Sequence, residues 1–295
     1  MIEVPEELVA LQYRHAGEAG RAFIAALPAR TAEFLDRWEL RRTGDPLHGF
    51  AALALPVLCA DGTPAVLKLQ NLDEESAGEP VALRAWAGEG AVQLLGHDPE
   101  TNTLLLERLD WSRDLDGMPD ARDAVRIIAE LLARLTALPA PPELRRLGDI
   151  AAGMLEEVPR RAALLGDDAE RRLLLECAGA VREVAGESGD RLLHWDLHYE
   201  NVLGAGREPW LAIDPKPLAG DPGFELMPAL ANRFDPDDTL WRFDLMTGTL
   251  GLDRARAKAW TLGRVLQNSL WDLADGEPRL DAQQVSIART LLANR

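Results

Sequence analysis

Cysteine is almost missing from this chain. The two present in 295 residues, Cys59 and Cys177, have no CxxC spacing and join no ligand cluster. That excludes a disulfide framework or a thiolate zinc site and points to a reducing, intracellular compartment. Positive charge is the second shortage. Lys and Arg total 32 against 49 Asp and Glu, a formal net charge of −17. Nucleic-acid binders carry a basic footprint, so no nucleic-acid partner is expected. An acidic surface serves solubility and also focuses potential that attracts cationic small molecules into clefts. Long apolar runs are lacking too, so no membrane span or membrane partner is expected. The opening MIEVPEELVALQ has no basic start or apolar core of a signal peptide. These absences together predict a cytoplasmic location.

What is present is an ordinary globular mixture, 47% hydrophobic and 27% charged, long enough for one large or two ordinary domains. Residues 6–37 have helical patterning with a break expected near Pro28. Strands are expected around Trp38–Thr43, in FAALALPVLCA and in AVLKLQ, with Asp61-Gly62 as a turn. Pro56 inside the second suggests an edge or a bulge. EPVALRAWAG over 79–88 reads as a helix with proline in its first turn. Ala91–Leu95 and Thr103–Leu109 read as two more strands flanking the turn HDPETN. From there the pattern is mainly helical: Asp120–Leu138 with one apolar stripe, 143–158, 168–186, and Leu252–Ala274. The expected architecture is α+β. Residues 1–110 form an antiparallel five-stranded N-terminal lobe with leading helices and an inserted helix. Residues 111–295 form a larger, mainly helical C-terminal lobe.

The segment LLHWDLHYENVL, followed by WLAIDPKPLAGDP, carries the chemistry. Asp196 lies five residues before Asn201, and Asp214 ends the next short apolar run. Phosphoryl transfer needs little beyond positioning and electrostatics: a carboxylate on the acceptor hydroxyl, and oxygen ligands for magnesium bridging the phosphates. Asp196 suits the first task, and the Asn201 amide and Asp214 carboxylate suit the second. VLGAGREPWLAID reads as a hairpin, which would bring Asn201 and Asp214 together at its open end. His194 and His198 raise a zinc alternative, but H-x-D-x-H in a loop is not the helical HExxH pattern. Structural hydrogen bonding is the preferred role for both. Lys68 in the apolar strand AVLKLQ suits an ATP phosphate, held by Glu79, with Glu74 and Glu75 as alternative partners. TGDPLHGF offers Gly44 and Gly49 for a flap over phosphates, although it matches neither GxGxxG nor GxxxxGK[ST]. The backbones of Glu107 and Leu109 are candidates for the adenine edge.

HWDLHYENVL, WLAIDPKPLAGDPGFEL and ALANRF resemble the aminoglycoside phosphotransferase group of the protein-kinase-like fold, and within it the streptomycin 6-kinase or aminoglycoside/hydroxyurea resistance kinase family. The broader group reads HGDLHPGN here, so Trp195 stands at a glycine position and Tyr199 and Glu200 replace proline and glycine. The resemblance implies a two-lobed enzyme using ATP and Mg2+, with Asp196 as base, Asn201 and Asp214 on the metal, and Lys68 with Glu79 positioning ATP. It implies transfer of the γ-phosphate to a hydroxyl of a cationic antibiotic, for streptomycin the 6-hydroxyl of streptidine. Another amino sugar, a cyclitol, a sugar or a hydroxyurea-like compound is the alternative acceptor, and a non-catalytic nucleotide-binding protein is an alternative of a different class. A protein kinase is disfavoured because no DFG-to-APE activation segment follows Asp214. A guanidinium-bearing acceptor would need carboxylates and aromatic faces. Glu200, Glu225, Trp271 and Asp272 are the candidates. Asp221, Asp237, Asp238 and Trp241 are also at hand, Asp221 with an equal claim to a turn-stabilising role. A monomer or homodimer is expected.

Overall fold

The computed structural model describes residues 2–294. The chain divides into two compact units, Met1–Leu109 and Asp110–Arg295. The architecture is α+β, with a small sheet-based N-terminal unit and a larger helical C-terminal one. No helix among the described residues is long and apolar enough to cross a membrane.

The first unit opens with α1 (Glu6–His15) and α2 (Gly17–Arg37). The break between them falls at Ala16–Gly17, where Gly17 takes φ +52°, not at Pro28 as the sequence suggests. Pro28 lies inside α2. A lost backbone bond and ring clash cost about 3 kcal/mol. Phe23, Ile24, Leu27 and Phe34 are buried on either side of it, and each large apolar side chain returns about 1.5–3 kcal/mol. The helix therefore runs through.

The sheet follows as β1 (Arg41–Arg42), β2 (Leu47–His48), β3 (Ala52–Leu58) and β4 (Pro64–Gln70), then α3 (Glu79–Trp86), β5 (Leu94–Asp98) and β6 (Thr103–Glu107). Its five-strand path is β1-β3-β4-β6-β5, antiparallel throughout, and β2 is a further short strand on β3. β3 is an interior strand, so Pro56 is not on an edge. Its carbonyl accepts from the Thr43 N–H at 2.9 Å. Past Thr43 the chain leaves β3 and rejoins it only at β2, so the N–H that proline lacks falls where the ladder is interrupted. β5 lies three residues later than expected, with a register irregularity between Leu94 and Gly96. Leu53, Leu55, Val57, Leu67 and Leu69 form one core with Leu8, Phe23, Leu27 and Phe34. Strand alternation sends Lys68 and Gln70 to the opposite face.

In the second unit, β7 (Asp110–Asp114) leads to α4 (Ala121–Leu135), α5 (Leu147–Ala162) and α6 (Asp168–Val184). Asp120 and Asp167 cap α4 and α6 with their side chains. α4 buries the expected stripe of Val125, Ile128, Leu131, Leu132 and Leu135. α5 begins four residues later than expected and carries Pro159 inside it. Four short strands come next: β8 (Arg191–Leu193), β9 (Val202–Gly204), β10 (Trp210–Ala212) and β11 (Leu218–Gly220). β9 and β10 form the expected hairpin, which extends to β7, while β8 pairs with β11. The chain ends in α7 (Met227–Ala231), α8 (Thr239–Leu250), α9 (Arg254–Ala274) and α10 (Ala282–Ala293). α9 is the central helix, packed by α5, α6, α10 and the 3-10 turn Pro222–Glu225.

Candidate active site

The loop between β8 and β9 is a hydrogen-bonded frame. His194 is fully buried, and burial lowers its pKa to about 4, so the ring is neutral. Its Nε2 lies 2.9 Å from the Ile213 carbonyl, which can only accept, so Nε2 carries the proton. Nδ1 is then the acceptor facing the Asp196 N–H at 3.4 Å. Both ring nitrogens thus serve the backbone, the structural role preferred over zinc ligation. The Asp196 carbonyl accepts from the His198 N–H at 3.0 Å and from Asn201 Nδ2 at 2.9 Å. The Asn201 carbonyl in turn accepts from the Ile213 N–H at 2.9 Å, which continues the hairpin ladder by one pair. One bonded network therefore joins Asp196 and Asn201 to the residue preceding Asp214. Asn232 Oδ1 holds the Tyr199 N–H at 2.9 Å.

Two residues of this frame have left-handed backbones, Trp195 at φ +68° and Asp214 at φ +53°. Such strain persists only where surrounding bonds over-determine it. At Trp195 the restraints are visible. Glu225, from the 3-10 turn, accepts the Trp195 N–H with both oxygens at 3.0 Å, and also the His194 N–H. The indole is stacked by Arg145 at 5.0 Å and Arg264 at 5.1 Å, with Trp271 at 6.0 Å. Glu225 is fully buried, and desolvation pushes its carboxyl up to about 7 despite those bonds. Asp214 has Lys216 Nζ 3.3 Å from Oδ2.

The first unit holds the other predicted pair. Lys68 Nζ meets Glu79 Oε1 at 2.7 Å and Oε2 at 2.8 Å, and Gln70 Nε2 donates to Oε2 at 2.7 Å. Both ionic partners are buried. Glu79 is the first residue of α3, where the helix dipole favours a carboxylate. Glu74 is exposed, and Glu75 belongs to the Asp73-capped turn. Gly44 packs against Pro56 between β1 and β2, whereas Gly49 has open space around its Cα. The Glu107 N–H bonds the Gln93 carbonyl at 2.9 Å, and Leu109 is buried just after β6.

The acceptor candidates separate sharply. Glu225 braces the loop from behind. Glu200 is an exposed surface carboxylate, 3.7 Å from His198. Asp221 caps the 3-10 turn through the Gly223 N–H at 2.8 Å and pairs with Arg256. Asp238 pairs with Arg122 at 2.7 Å, Asp237 lies on the 3-10 turn after Asp235, and Trp241 stacks on Arg122 and Arg126. Trp271 is partly exposed at 43%, and Asp272 is half-buried beside it. Beside Asp196 lies an open cavity of about 250 Å³, walled by Arg264, Asn268, Asp281, Gln283 and Gln284 with Met227, Pro228 and Ala231. None of the wall residues was expected from the sequence. One signal existed: Arg264, Gln267 and Asn268 are polar residues on a helix otherwise buried on almost every side.

The model of the aminoglycoside/hydroxyurea antibiotic resistance kinase family matches residues 37–276. The chain belongs to that family. Among its relatives, a hydroxyurea phosphotransferase of Kitasatospora aureofaciens is 61% identical over 99% of this chain and 86% of its own length. A streptomycin 6-kinase of Streptomyces glaucescens is 57% identical over 99% of this chain and 97% of its own. A mutant aminoglycoside phosphotransferase crystallised with ADP and hygromycin B shares the fold at a TM-score of 0.60 and 15% identity, covering 89% of this chain and 97% of that one. As a member of this kinase family, the chain is an ATP-dependent phosphotransferase with a small-molecule acceptor.

Proposed function

We propose that the acceptor is streptomycin, phosphorylated on the 6-hydroxyl of its streptidine ring, and that the reaction inactivates the antibiotic. The observation that supports phosphoryl transfer at Asp196 is the bonded network that ties the Asp196 carbonyl to Asn201 and Asn201 to Ile213. A rigid loop presenting one carboxylate, beside an amide and a second carboxylate, is what in-line phosphoryl transfer asks of a protein. In this reading Asp196 orients the acceptor hydroxyl and takes its proton. The first unit binds the nucleotide: Lys68, held by Glu79, meets its phosphates, Gly44 and Gly49 line the flap over them, and the Glu107 and Leu109 backbones meet the adenine. The second unit supplies catalysis and the acceptor site.

Magnesium is the implied metal. Asn201 spends its Nδ2 on the Asp196 carbonyl, so its amide has an oxygen to offer, and Asp214 adds a carboxylate at the same hairpin end. These are hard oxygen donors of the type Mg2+ takes, few in number because phosphates complete its shell. Bound there, the metal would neutralise charge developing on the phosphates.

The relatives named as streptomycin 6-kinases, at 57% and 52% identity, support the streptomycin reading. The 61% identical hydroxyurea phosphotransferase supports a second one, hydroxyurea as acceptor. The test is ATP consumption with each acceptor, with product mass measured. Phosphostreptomycin as the major product is expected, and Asp196→Asn should cut turnover by about 10²–10⁴-fold while nucleotide still binds. Acceptor-dependent turnover with hydroxyurea alone would reverse the choice, and turnover with neither would refute both.

A further inference from the structure

The cavity beside Asp196 has a wall whose chemistry no sequence motif announced. Gln284 lines the cavity, and its Oε1 is buried without a hydrogen-bond partner. Gln283 spends its Nε2 on the Ala231 carbonyl at 2.6 Å, which leaves its carbonyl end for the cavity. Asp281 adds a carboxylate and uses Oδ1 to cap α10 through the Gln284 N–H at 2.9 Å. The wall is thus rich in acceptors, and an acceptor buried without a donor costs about 1–3 kcal/mol. Arg264 also lines this wall, where it stacks on Trp195, Trp271 and Phe224 and donates through one terminal nitrogen to Gln267 at 3.0 Å.

We propose that Asp281 and Gln284, with Asn268 one helical turn beyond Arg264, form the specificity wall of the acceptor site and read a guanidinium on a ring whose hydroxyl faces Asp196. The proposal rests on the phosphotransferase reading of Asp196. A guanidinium presents five N–H donors in a planar fork, which suits a carboxylate and an amide oxygen at the start of α10 with a second amide on α9. Arg279, the nearest basic residue in sequence, is already paired with Glu170 at 2.7 Å and Asp167 at 3.5 Å. Size sets a further limit. About 250 Å³ is below the roughly 300–1,000 Å³ of drug-sized sites, which suits one substituted ring of a larger acceptor.

Two variants test this. Asp281→Asn keeps a capping oxygen and removes the charge; Gln284→Met keeps volume and removes the acceptor. Streptomycin and hydroxyurea serve as guanidinium-bearing and neutral acceptors. Each substitution should raise KM for streptomycin about tenfold or more, the equivalent of one charge-assisted hydrogen bond. It should leave kcat within about threefold, the KM for ATP unchanged, and the KM for hydroxyurea unchanged under Asp281→Asn. Titration calorimetry of streptomycin without nucleotide reads the wall directly. Binding weakened by Asp281→Asn supports the wall even if wild-type protein shows no turnover, in which case only the catalytic reading falls. Unchanged streptomycin affinity in both variants, equal losses for both acceptors, or no streptomycin binding to wild-type protein would overturn the proposal.

Discussion

At the scale of single residues, Trp195 and Glu225 are a coupled pair. A bulky residue at φ +68° stores about 1–3 kcal/mol of strain, and a glycine there would release it. The buried indole returns more, since deleting a large aromatic core side chain costs about 3–5 kcal/mol. Trp195→Gly is therefore expected to be destabilised by about 1–3 kcal/mol in denaturant unfolding; a stabilised variant would show that strain outweighs the stack. Glu225 and His194 have opposing pH signatures. The Glu225 carboxyl is raised to about 7 from 4.5, so the native state binds the extra proton, and stability falls as pH rises from about 4.5 to 7. His194 is lowered to about 4 from 6.5, so the unfolded state binds the extra proton, and stability falls as pH drops from 6.5 to 4. Between about 4.5 and 6.5 the two slopes cancel. Glu225→Gln should uncover the histidine slope, so the Tm of the variant should drop more steeply than wild type on acidification from pH 6.5. Parallel Tm profiles would show that Glu225 does not titrate in this window. The frame that ties Asn201 to Asp196 was legible because both residues sit in one short loop. The place of Asp281 and Gln284 on the cavity beside Asp196 was not, because it comes from a fold that sets the start of α10 against a loop more than eighty residues earlier.

At the scale of elements, the 3-10 turn Pro222–Glu225 decides whether the loop is braced. It can hold Glu225 only by lying directly on α9. A Cβ on Gly223 would come 2.7 Å from the Ala257 Cα, a backbone atom that cannot rotate away. Gly223→Ala should therefore cost about 1–3 kcal/mol through overpacking and lower kcat by disturbing the Glu225 bonds. Gly179→Ala on α6 is the contrasting case: nothing lies within 4 Å of its Cβ, and a helix interior gains about 0.5–1 kcal/mol from alanine. Opposite shifts in Tm are expected, and a neutral Gly223→Ala would mean that α9 yields. The same comparison explains what was readable here. Periodicity located α4, α6 and α9 to within a few residues, because one buried stripe or an all-buried helix is a strong pattern. It misplaced the break before α2, because tertiary burial overrode the local cost of Pro28. It found the short strands on each side of the HWDLHYEN loop, β8 and β9, but missed β7 and β11, strands of five and three residues whose partners lie far along the chain.

At the scale of the whole molecule, the net charge of −17 acts with opposite sign on the two reactants. A cationic acceptor is drawn toward an acidic protein, and the polyanionic nucleotide is repelled everywhere except near its own cationic contacts. Salt screens both effects, with a Debye length of about 10 Å at 0.1 M. If the acceptor is streptomycin, raising ionic strength from about 0.02 to 0.3 M should increase its KM severalfold and leave the KM for ATP unchanged or lowered, while hydroxyurea, being neutral, should respond to neither. The three responses separate causes that a single measurement would merge. A salt effect on the catalytic loop would move all three constants together, whereas a field effect must split them by charge. Initial-rate measurements on one preparation at matched Mg2+ make the comparison, and a common shift in all three would rule out long-range charge as a contributor to acceptor choice, leaving selection to the short-range contacts around Asp196.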